Sequence, residues 1–323
     1  MPSFARSAKG PLRSRGRSLQ KRSWNKEAWT RQILKGDVRS ASRLLTLVEN
    51  HDRAARPLLK ALFPHTGRAT LIGVTGPAGA GKSTLINQLI TSFRKQKRSV
   101  GVLAIDPTSP LSGGAILGDR LRMHPHFLDR QVFIRSLATR GAWGGISPAL
   151  FDAIHILDAM GKEVILIETV GVGQDEVEIA RLADVVVLVL APGMGDDVQM
   201  MKAGLLEIGD VVAVNKGDRR EARELLHQLR ETVYDRPLIK ISAEKGEGLL
   251  LLLSEIEKAS ADRDARISRQ KKFVEEELRT HLREVLGETV SEASFDDREI
   301  EAILLRKRDP YDLVRSWIKR GKG

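Results

Sequence analysis

The sequence predicts an α/β fold built on a mainly parallel sheet, with helical extensions at both ends. Three observations lead to this prediction. Short apolar segments alternate with helical segments through the middle of the chain, the first apolar segment runs directly into a glycine-rich turn, and the flanking regions carry apolar residues at helical spacing. Strand–helix alternation of this kind places helices on both faces of a parallel sheet.

Seven short apolar segments in the central region are predicted to form the strands of the sheet. Helical segments run between most of them, and the region shows no internal repeat. We assign this region, 69–258, to one domain. The predicted strands are 70–74, 100–105, 132–134, 164–167, 185–190, 211–214 and 238–241.

The N-terminal flank, 26–68, is predicted to be a helical segment. Its first helix breaks at Gly36, and the Asp37 side chain can cap a second helix that begins directly afterwards. Pro57 and Pro64 are expected to mark the end of that second helix and the connection to the sheet.

The C-terminal flank, 259–323, is predicted to be helical as well. Five apolar residues recur on one face of its first helix, which Gly287 is expected to end, and a further segment is expected over 297–308. A long charged helix with one narrow apolar stripe needs something to pack on, either its own domain or a second subunit. The stripe consists of Val274, Leu278, Leu282, Val285 and Leu286.

The composition is that of a globular protein and excludes several kinds of chemistry. The chain has 323 residues, 41% hydrophobic and 29% charged, which suits one large domain with extensions or two small domains. It contains no cysteine, so disulfides, thiolate metal sites and cysteine nucleophiles are excluded. The longest purely apolar run, 185–191, is far shorter than the roughly 20 residues of a membrane-spanning helix. We expect a buried strand there and no membrane attachment.

The net charge of +11 is concentrated at the N-terminus. Residues 1–22 contain seven lysines and arginines and no acidic residue, which leaves +4 for the rest of the chain. A basic segment of this composition is typical of a solvated arm, and we predict a basic disordered tail over 1–25. A weak nucleic-acid contact and an organelle presequence are the alternatives, and the lack of a clear apolar stripe favours neither.

The glycine-rich turn after the first predicted strand matches the pattern G-x-x-x-x-G-K-[ST] at every defined position. Its small residues let backbone N–H groups converge on phosphate oxygens, and the following helix adds the positive end of its dipole. Lys82 would reach the β- and γ-phosphates, and the Ser83 hydroxyl would bind Mg²⁺. The predicted phosphate site comprises Gly76, Pro77, Ala78, Gly79, Ala80, Gly81, Lys82, Ser83 and Thr84.

An Asn-Lys-Gly-Asp tetrapeptide follows the sixth predicted strand, and N-K-x-D at a strand end is typical of guanine recognition. The Asp218 carboxylate can accept hydrogen bonds from guanine N1–H and the exocyclic amine, a donor pair that adenine lacks. The Lys216 stem would lie over the base, and Asn215 would brace the neighbouring loops. Ser242 and Ala243, after the next strand, resemble the motif whose backbone N–H contacts guanine O6. The sequence therefore predicts binding of GTP and GDP.

Acidic residues at strand ends are candidate magnesium ligands. Glu168 ends the fourth predicted strand and, with Gly171, stands where most GTPases carry Asp-x-x-Gly. In that motif the acid holds Mg²⁺ through water and the glycine N–H senses the γ-phosphate. Asp106 ends another strand, and Asp119 lies in the following loop, where the alternative is a helix N-cap. Three carboxylates near one hard cation are chemically reasonable.

The sequence leaves the roles of several further residues undecided. Gln174 or Arg120 could assist the attacking water, and the sequence does not decide between them. The glycine-rich loop 192–197 follows the most buried strand and lies where ligands bind in parallel sheets. His124 and His126 could bind a metal ion. A solvated or packed pair of histidines is favoured, because no cysteine or acidic cluster accompanies them.

Longer blocks of the sequence resemble the MeaB/ArgK/MMAA family over about residues 36–311, and these blocks are specific. Members of this family are G-protein chaperones of adenosylcobalamin-dependent methylmalonyl-CoA mutase and related acyl-CoA mutases. They protect the mutase and gate the loading or exchange of its cofactor. The matching blocks are 36–38, 104–110, 113–120, 133–136, 138–141, 168–174, 191–193 and 309–311.

The resemblance implies a SIMIBI-type P-loop G domain between helical extensions, with a homodimer formed by the C-terminal helices. It implies Mg²⁺ contacts for Asp106, Asp119 and Glu168 beside Ser83, and a role for the loop 192–202 in signalling to the mutase. We thus expect GTP hydrolysis, slow alone and stimulated by the partner, with Lys82, Glu168 and Asp106 as catalytic residues. The expected compartment is the cytoplasm, with the mitochondrial matrix as the alternative.

Two other functions are considered. A metal-delivery GTPase of the same SIMIBI class is one, but such proteins usually carry His-rich tracts or Cys/His pairs, which this sequence lacks. A tethering protein that uses its basic tail is the other, and nucleic-acid binding is not favoured. An older family label is an amino-acid transport ATPase or kinase, against which the N-K-x-D site argues.

Overall fold

The structure is a computed structural model that describes most of the predicted domain and both flanking helical regions. The predicted tail 1–25, except Asn25, lies outside the described part, as does the segment 297–308, except 298–299. Residues 25–106, 125–126, 128–138, 147–169, 175–193, 205–291 and 298–299 are described.

Seven strands form one sheet: β1 Thr70–Thr75, β2 Val100–Asp106, β3 Val132–Ala138, β4 Val164–Glu168, β5 Val185–Leu190, β6 Val211–Val214 and β7 Leu238–Lys240. Every neighbouring pair is parallel, and the order across the sheet is β3-β2-β4-β1-β5-β6-β7. This confirms the predicted α/β fold with a parallel sheet. The largest difference from prediction is β3, which continues four residues past its predicted end.

Helices cover both faces of the sheet, and strand residues alternate between them. In β4, Ile165 and Ile167 face one apolar core, while Val164 and Leu166 face the other. A strand buried on both faces reads as a continuous apolar run, which is why the central strands were recognisable. The helices of the domain within the described residues are α4 Lys82–Lys95, α5 Pro148–Ala159, α6 Asp175–Leu182, α7 Glu221–Arg230 and α8 Leu249–Ala261, with a single turn at Leu206–Ile208. Single 3₁₀ turns lie in the N-terminal flank at Arg53–Ala55 and Phe63–His65.

The N-terminal flank contains three helices: α1 Lys26–Leu34, α2 Val38–Glu49 and α3 Arg56–Leu62. The Asp37 carboxylate accepts a 2.7 Å hydrogen bond from the Ser40 N–H, so the predicted cap is confirmed. The prediction for Pro57 was wrong, because this residue lies in the first turn of α3. A proline is favourable there since the first helical N–H groups have no partner within the helix.

The main element in the described part of the C-terminal flank is α9, Arg263–Ser291. The expectation that Gly287 ends this helix was wrong, since the helix runs four residues further. A glycine inside a helix costs only about 1 kcal/mol relative to alanine, which the rest of a long helix can absorb. The predicted apolar stripe is exposed along α9, from 46% at Val285 to 65% at Leu278. No helix among the described residues is long and apolar enough to cross a membrane.

The opposite face of α9 packs on the body of the protein through aromatic and polar contacts. Phe273 meets Phe151 of α5 edge to face, with ring centroids 5.3 Å apart. The His155 Nε2 lies 2.7 Å from the Glu277 carboxylate, and the His51 Nδ1 lies 3.2 Å from that of Glu284. The helix is therefore attached both to the sheet domain and to the N-terminal helices.

Asp152 lies beside this attachment and lines a cavity of ≈ 450 Å³ between α2, α5 and α9. Burial raises its pKa to about 6, although His281 and His155 favour the charged form. The hydrogen bond to Glu284 raises the pKa of His281. Both groups bind protons more tightly in the folded protein, so both stabilise it more at lower pH. The contribution of Asp152 is lost between about pH 4 and 6, and that of His281 above about pH 6.5.

We expect the Asp152→Asn variant to unfold at a higher temperature than the unaltered protein at pH 7.5, by about 2–4 °C for a difference of about 1 kcal/mol. The neutral amide removes a buried charge that the fold disfavours. The difference should shrink towards pH 5, where Asp152 is largely protonated. Thermal unfolding followed by circular dichroism measures this, with Glu275→Gln on the exposed side of α9 as control. An equal loss of stability at every pH would contradict the assigned environment.

Candidate functional site

The phosphate-binding loop lies between β1, in the middle of the sheet, and the N-terminus of α4. Its backbone requires glycine at two positions. A Cβ at Gly76, whose φ is +137°, would lie 2.1 Å from the Val189 carbonyl oxygen, and one at Gly81, whose φ is +94°, would lie 2.3 Å from the Asn215 amide nitrogen. The loop is thus held close to both β5 and the loop after β6.

Lys82 is buried and folds back over the loop from the first position of α4. Its ammonium donates to the carbonyl oxygens of Gly76 at 2.7 Å and Pro77 at 3.1 Å. Phosphate oxygens are stronger acceptors for an ammonium group than neutral carbonyls are. The phosphate oxygens of a nucleotide bound in the loop would therefore compete with these two carbonyl oxygens for the Lys82 ammonium, which already lies close to the loop.

Ser83 and Glu168 place two oxygen ligands together beside the loop. The Ser83 hydroxyl donates to the Glu168 carboxylate at 2.6 Å, and both residues are buried. A hydroxyl and a carboxylate are hard oxygen donors of the kind that Mg²⁺ prefers, so this pair fits the ion. The backbone of Asp106 ends β2 at the same edge, two residues beyond the partner of Glu168 in β2, Ala104.

The other predicted magnesium ligands and the predicted γ-phosphate sensor are not part of this geometry. Asp119 and Gly171 lie outside the described residues, as does the side chain of Asp106, so their predicted roles stay predictions. The same holds for Gln174, Arg120, His124 and the loop 194–202. Among the described residues there is no group of three or more His, Asp or Glu side chains placed to hold a metal ion. The His126 Nε2 lies 3.2 Å from the carbonyl oxygen of Asn87.

Asn215 joins the loops that would hold the phosphates and the base. Its amide donates to the Ala80 carbonyl oxygen at 2.8 Å and its oxygen accepts from the Ala243 N–H at 3.0 Å. Gln88 of α4 supports the same segment by donating to the Ala243 carbonyl oxygen at 2.9 Å. No pattern in the sequence indicates this contribution from Gln88, because it depends on the packing of α4 against a distant loop.

Asp218 lies in the loop after β6, where its carboxylate is held between two side chains. Ser242 donates to one oxygen at 3.1 Å, and the Lys245 ammonium lies 3.3 Å from the other. The pKa of Asp218 is lowered, first by a hydrogen bond from its own backbone N–H and then by Lys245 and Ser242. The carboxylate is therefore ionised at neutral pH, as acceptance of two guanine N–H groups requires. Sequence reasoning missed Lys245, which stands one position beyond the residues of the expected motif.

These parts define a class of protein. A P-loop on the central strand, an acid at the end of the adjacent strand and an N-K-x-D loop braced against the P-loop are the arrangement of a P-loop GTPase. A model of the family described as "Methylmalonyl Co-A mutase-associated GTPase MeaB" matches residues 41–297. The chain belongs to the MeaB family.

Relatives and a solved structure agree with this assignment. A putative GTPase of Pyrococcus abyssi is 45% identical over 306 residues, which cover 89% of this chain and 94% of that protein. The mouse "Methylmalonic aciduria type A homolog, mitochondrial" is 35% identical over 246 residues, 67% of this chain and 59% of that protein. The crystal structure of an "LAO/AO transport system kinase" has a TM-score of 0.65 at 23% identity, covering 92% of this chain and 98% of that one, and shows the shared fold.

We expect Asp218→Asn to shift nucleotide preference from GTP towards xanthosine triphosphate by at least about a hundredfold. Asparagine presents an amide donor where guanine also donates, whereas xanthine offers a carbonyl at that position. Competition of both triphosphates against a fluorescent guanine nucleotide measures the ratio. Glu244→Gln, an exposed neighbouring change, is the control. An unchanged ratio in Asp218→Asn would show that this carboxylate does not read the base.

Proposed function

We propose that this protein is a Mg²⁺-dependent GTPase that acts as a chaperone of an adenosylcobalamin-dependent acyl-CoA mutase of the methylmalonyl-CoA mutase type. In this role it protects the mutase and gates the loading of its cofactor. The Ser83–Glu168 pair beside the P-loop is the observation that carries the enzymatic part. The family description, which names a methylmalonyl-CoA mutase-associated GTPase, supports the partner class.

Hydrolysis by such a site depends on positioning and on stabilisation of charge. Backbone N–H groups of the P-loop and the positive end of the α4 dipole hold the phosphates. Lys82 exchanges its two carbonyl acceptors for phosphate oxygens and stabilises the charge that develops on them. Ser83, Asp106, Asp119 and Glu168 would hold Mg²⁺, which when bound neutralises phosphate charge, and the Gly171 N–H would sense the γ-phosphate.

The α9 stripe is the surface through which we propose that two copies of the chain form a homodimer. Its residues recur at about one helical turn along α9 and are 46–65% exposed. Exposed apolar residues aligned along a helix favour packing against a second helix of the same pattern. The cytoplasm is the proposed compartment, and the mitochondrial matrix is the alternative that the mouse relative's name supports.

We expect GTP turnover by the purified protein to rise when a methylmalonyl-CoA-type mutase is added, with different rates for its apo and cobalamin-loaded forms. A partner that orders the loop around Gly171 and the loop 192–202 would lower the activation barrier of the slow intrinsic GTP hydrolysis. Phosphate release is measured with and without mutase. Lys82→Ala, which should abolish turnover in either case, is the control. Turnover by the unaltered protein that no such mutase affects would refute the proposed client and leave the GTPase assignment in place.

The proposed dimer predicts that acidic substitutions in the stripe yield monomers. Leu278→Asp combined with Leu282→Asp places charges in the centre of the apolar contact, where their desolvation is costly. Sedimentation equilibrium should give about twice 35.8 kDa for the unaltered protein and about 35.8 kDa for the variant. Leu250→Asp, at an 85% exposed leucine on α8, is the matched control and should remain dimeric. A dimer that survives the double substitution would exclude this surface.

A further inference from the structure

Two buried threonine hydroxyls meet where the phosphate-binding loop and the acid-bearing strand leave the sheet. The Oγ1 atoms of Thr75 and Thr169 are 3.0 Å apart, and the residues are 0% and 1% exposed. Thr75 is the last residue of β1 and directly precedes Gly76. Thr169 directly follows Glu168, the last residue of β4. The pair therefore joins the first step of the P-loop to the first residue beyond the candidate magnesium ligand.

The sheet itself holds this junction only weakly. Val74 pairs with Glu168 in the parallel β1–β4 register, and the last backbone bond between the strands runs from the Thr169 N–H to the Val74 carbonyl oxygen at 3.3 Å. Such a bond lies beyond the usual range for N–H···O hydrogen bonds. The hydroxyl pair is the side-chain bond that closes the ladder at its open end.

Glu168 lies between this junction and the hydroxyl of Ser83, which is another proposed magnesium ligand. Its backbone is fixed by the pairing with Val74 and by the threonine bond one residue on, while its carboxylate accepts the 2.6 Å bond from Ser83. A small rotation of the strand end would move the carboxylate away from Ser83. Partners that orient a metal ligand typically contribute 10–100-fold to metal affinity.

We propose that Thr75 and Thr169 form a positioning pair that sets the Mg²⁺ affinity of the nucleotide site by fixing Glu168 against Ser83. This inference rests on the proposed Mg²⁺ role of Glu168 and adds two residues that do not touch the nucleotide or the ion. A pair that served only to satisfy two buried hydroxyls would affect the stability of the fold alone. The two roles can be separated because stability and Mg²⁺ dependence respond differently to removal of one or both hydroxyls.

Valine replaces threonine with nearly the same shape and without the hydroxyl. Each single variant, Thr75→Val or Thr169→Val, leaves one buried hydroxyl without its partner, whereas the double variant removes both and should recover most of the lost thermal stability. If the pair positions Glu168, the Mg²⁺ concentration for half-maximal binding of a fluorescent GTP analogue rises about tenfold in both single variants and stays raised in the double variant. Thr169→Ser keeps the hydroxyl and should restore the unaltered Mg²⁺ dependence.

Binding of the same analogue in the presence of a chelator separates positioning of the acid from damage to the P-loop. The inference requires that this Mg²⁺-independent affinity stays within about twofold of the unaltered protein. A Mg²⁺ requirement within twofold of normal in the double variant would overturn it, as would an equal loss of affinity with and without Mg²⁺. The Glu168→Gln variant distinguishes failure of the positioning pair from failure of the proposed Mg²⁺ role of Glu168. If that variant shifts the Mg²⁺ requirement and the valine variants do not, only the positioning pair is refuted. If it shifts nothing, the proposed Mg²⁺ role of Glu168 falls too.

Discussion

One buried amide sets the distance between the two halves of the nucleotide site. Asn215 donates to Ala80 in the phosphate-binding loop and accepts from Ala243 in the loop after β7, so one rigid side chain spans both. A nucleotide must touch both loops at once, and their separation therefore has to match its length. Because the bridge exists before the ligand arrives, binding does not have to order the loops, and less affinity is lost to that ordering.

Sequence alone was sufficient for the features that depend on local pattern. The strands were recognisable because both faces of the sheet are covered, and the loop around Lys82 because few other contexts need its glycines at that spacing. Features that depend on distant contacts were not recognisable. Gly287 was expected to end α9, and the contact of Lys245 with Asp218 comes from a chain reversal that no periodicity records. The prediction for Pro57 was wrong for a local reason, because a proline can either end a helix or begin one.

The two faces of α9 differ in chemistry, and this difference fits the proposal that the helix packs on its own domain on one side and on a second copy of the chain on the other. The face on the body carries Phe273, Glu277 and Glu284, whose aromatic and charged contacts need specific geometry and so fix the orientation of the helix. The outer face carries the apolar stripe, which is attractive to any complementary apolar surface. Specific docking on one side fixes the direction in which the stripe faces, and this would favour the proposed symmetric contact between two copies over random association.

Three successive residues at the end of β1 lie between the nucleotide site and α6, and α6 in turn contacts α9. Thr75 bonds Thr169, Val74 pairs with Glu168, and Gly73 is small enough for Ile179 of α6 to pack against the strand, where a Cβ would approach the Ile179 side chain to 2.8 Å. On its other side, α6 meets α9 through the Arg181–Glu276 ion pair at 3.2 Å. Arg181 is 55% exposed, so this pair adds little energy by itself. The nucleotide site and α9 are therefore linked through α6, mainly by its close packing on Gly73, because tightly packed elements transmit strain between them.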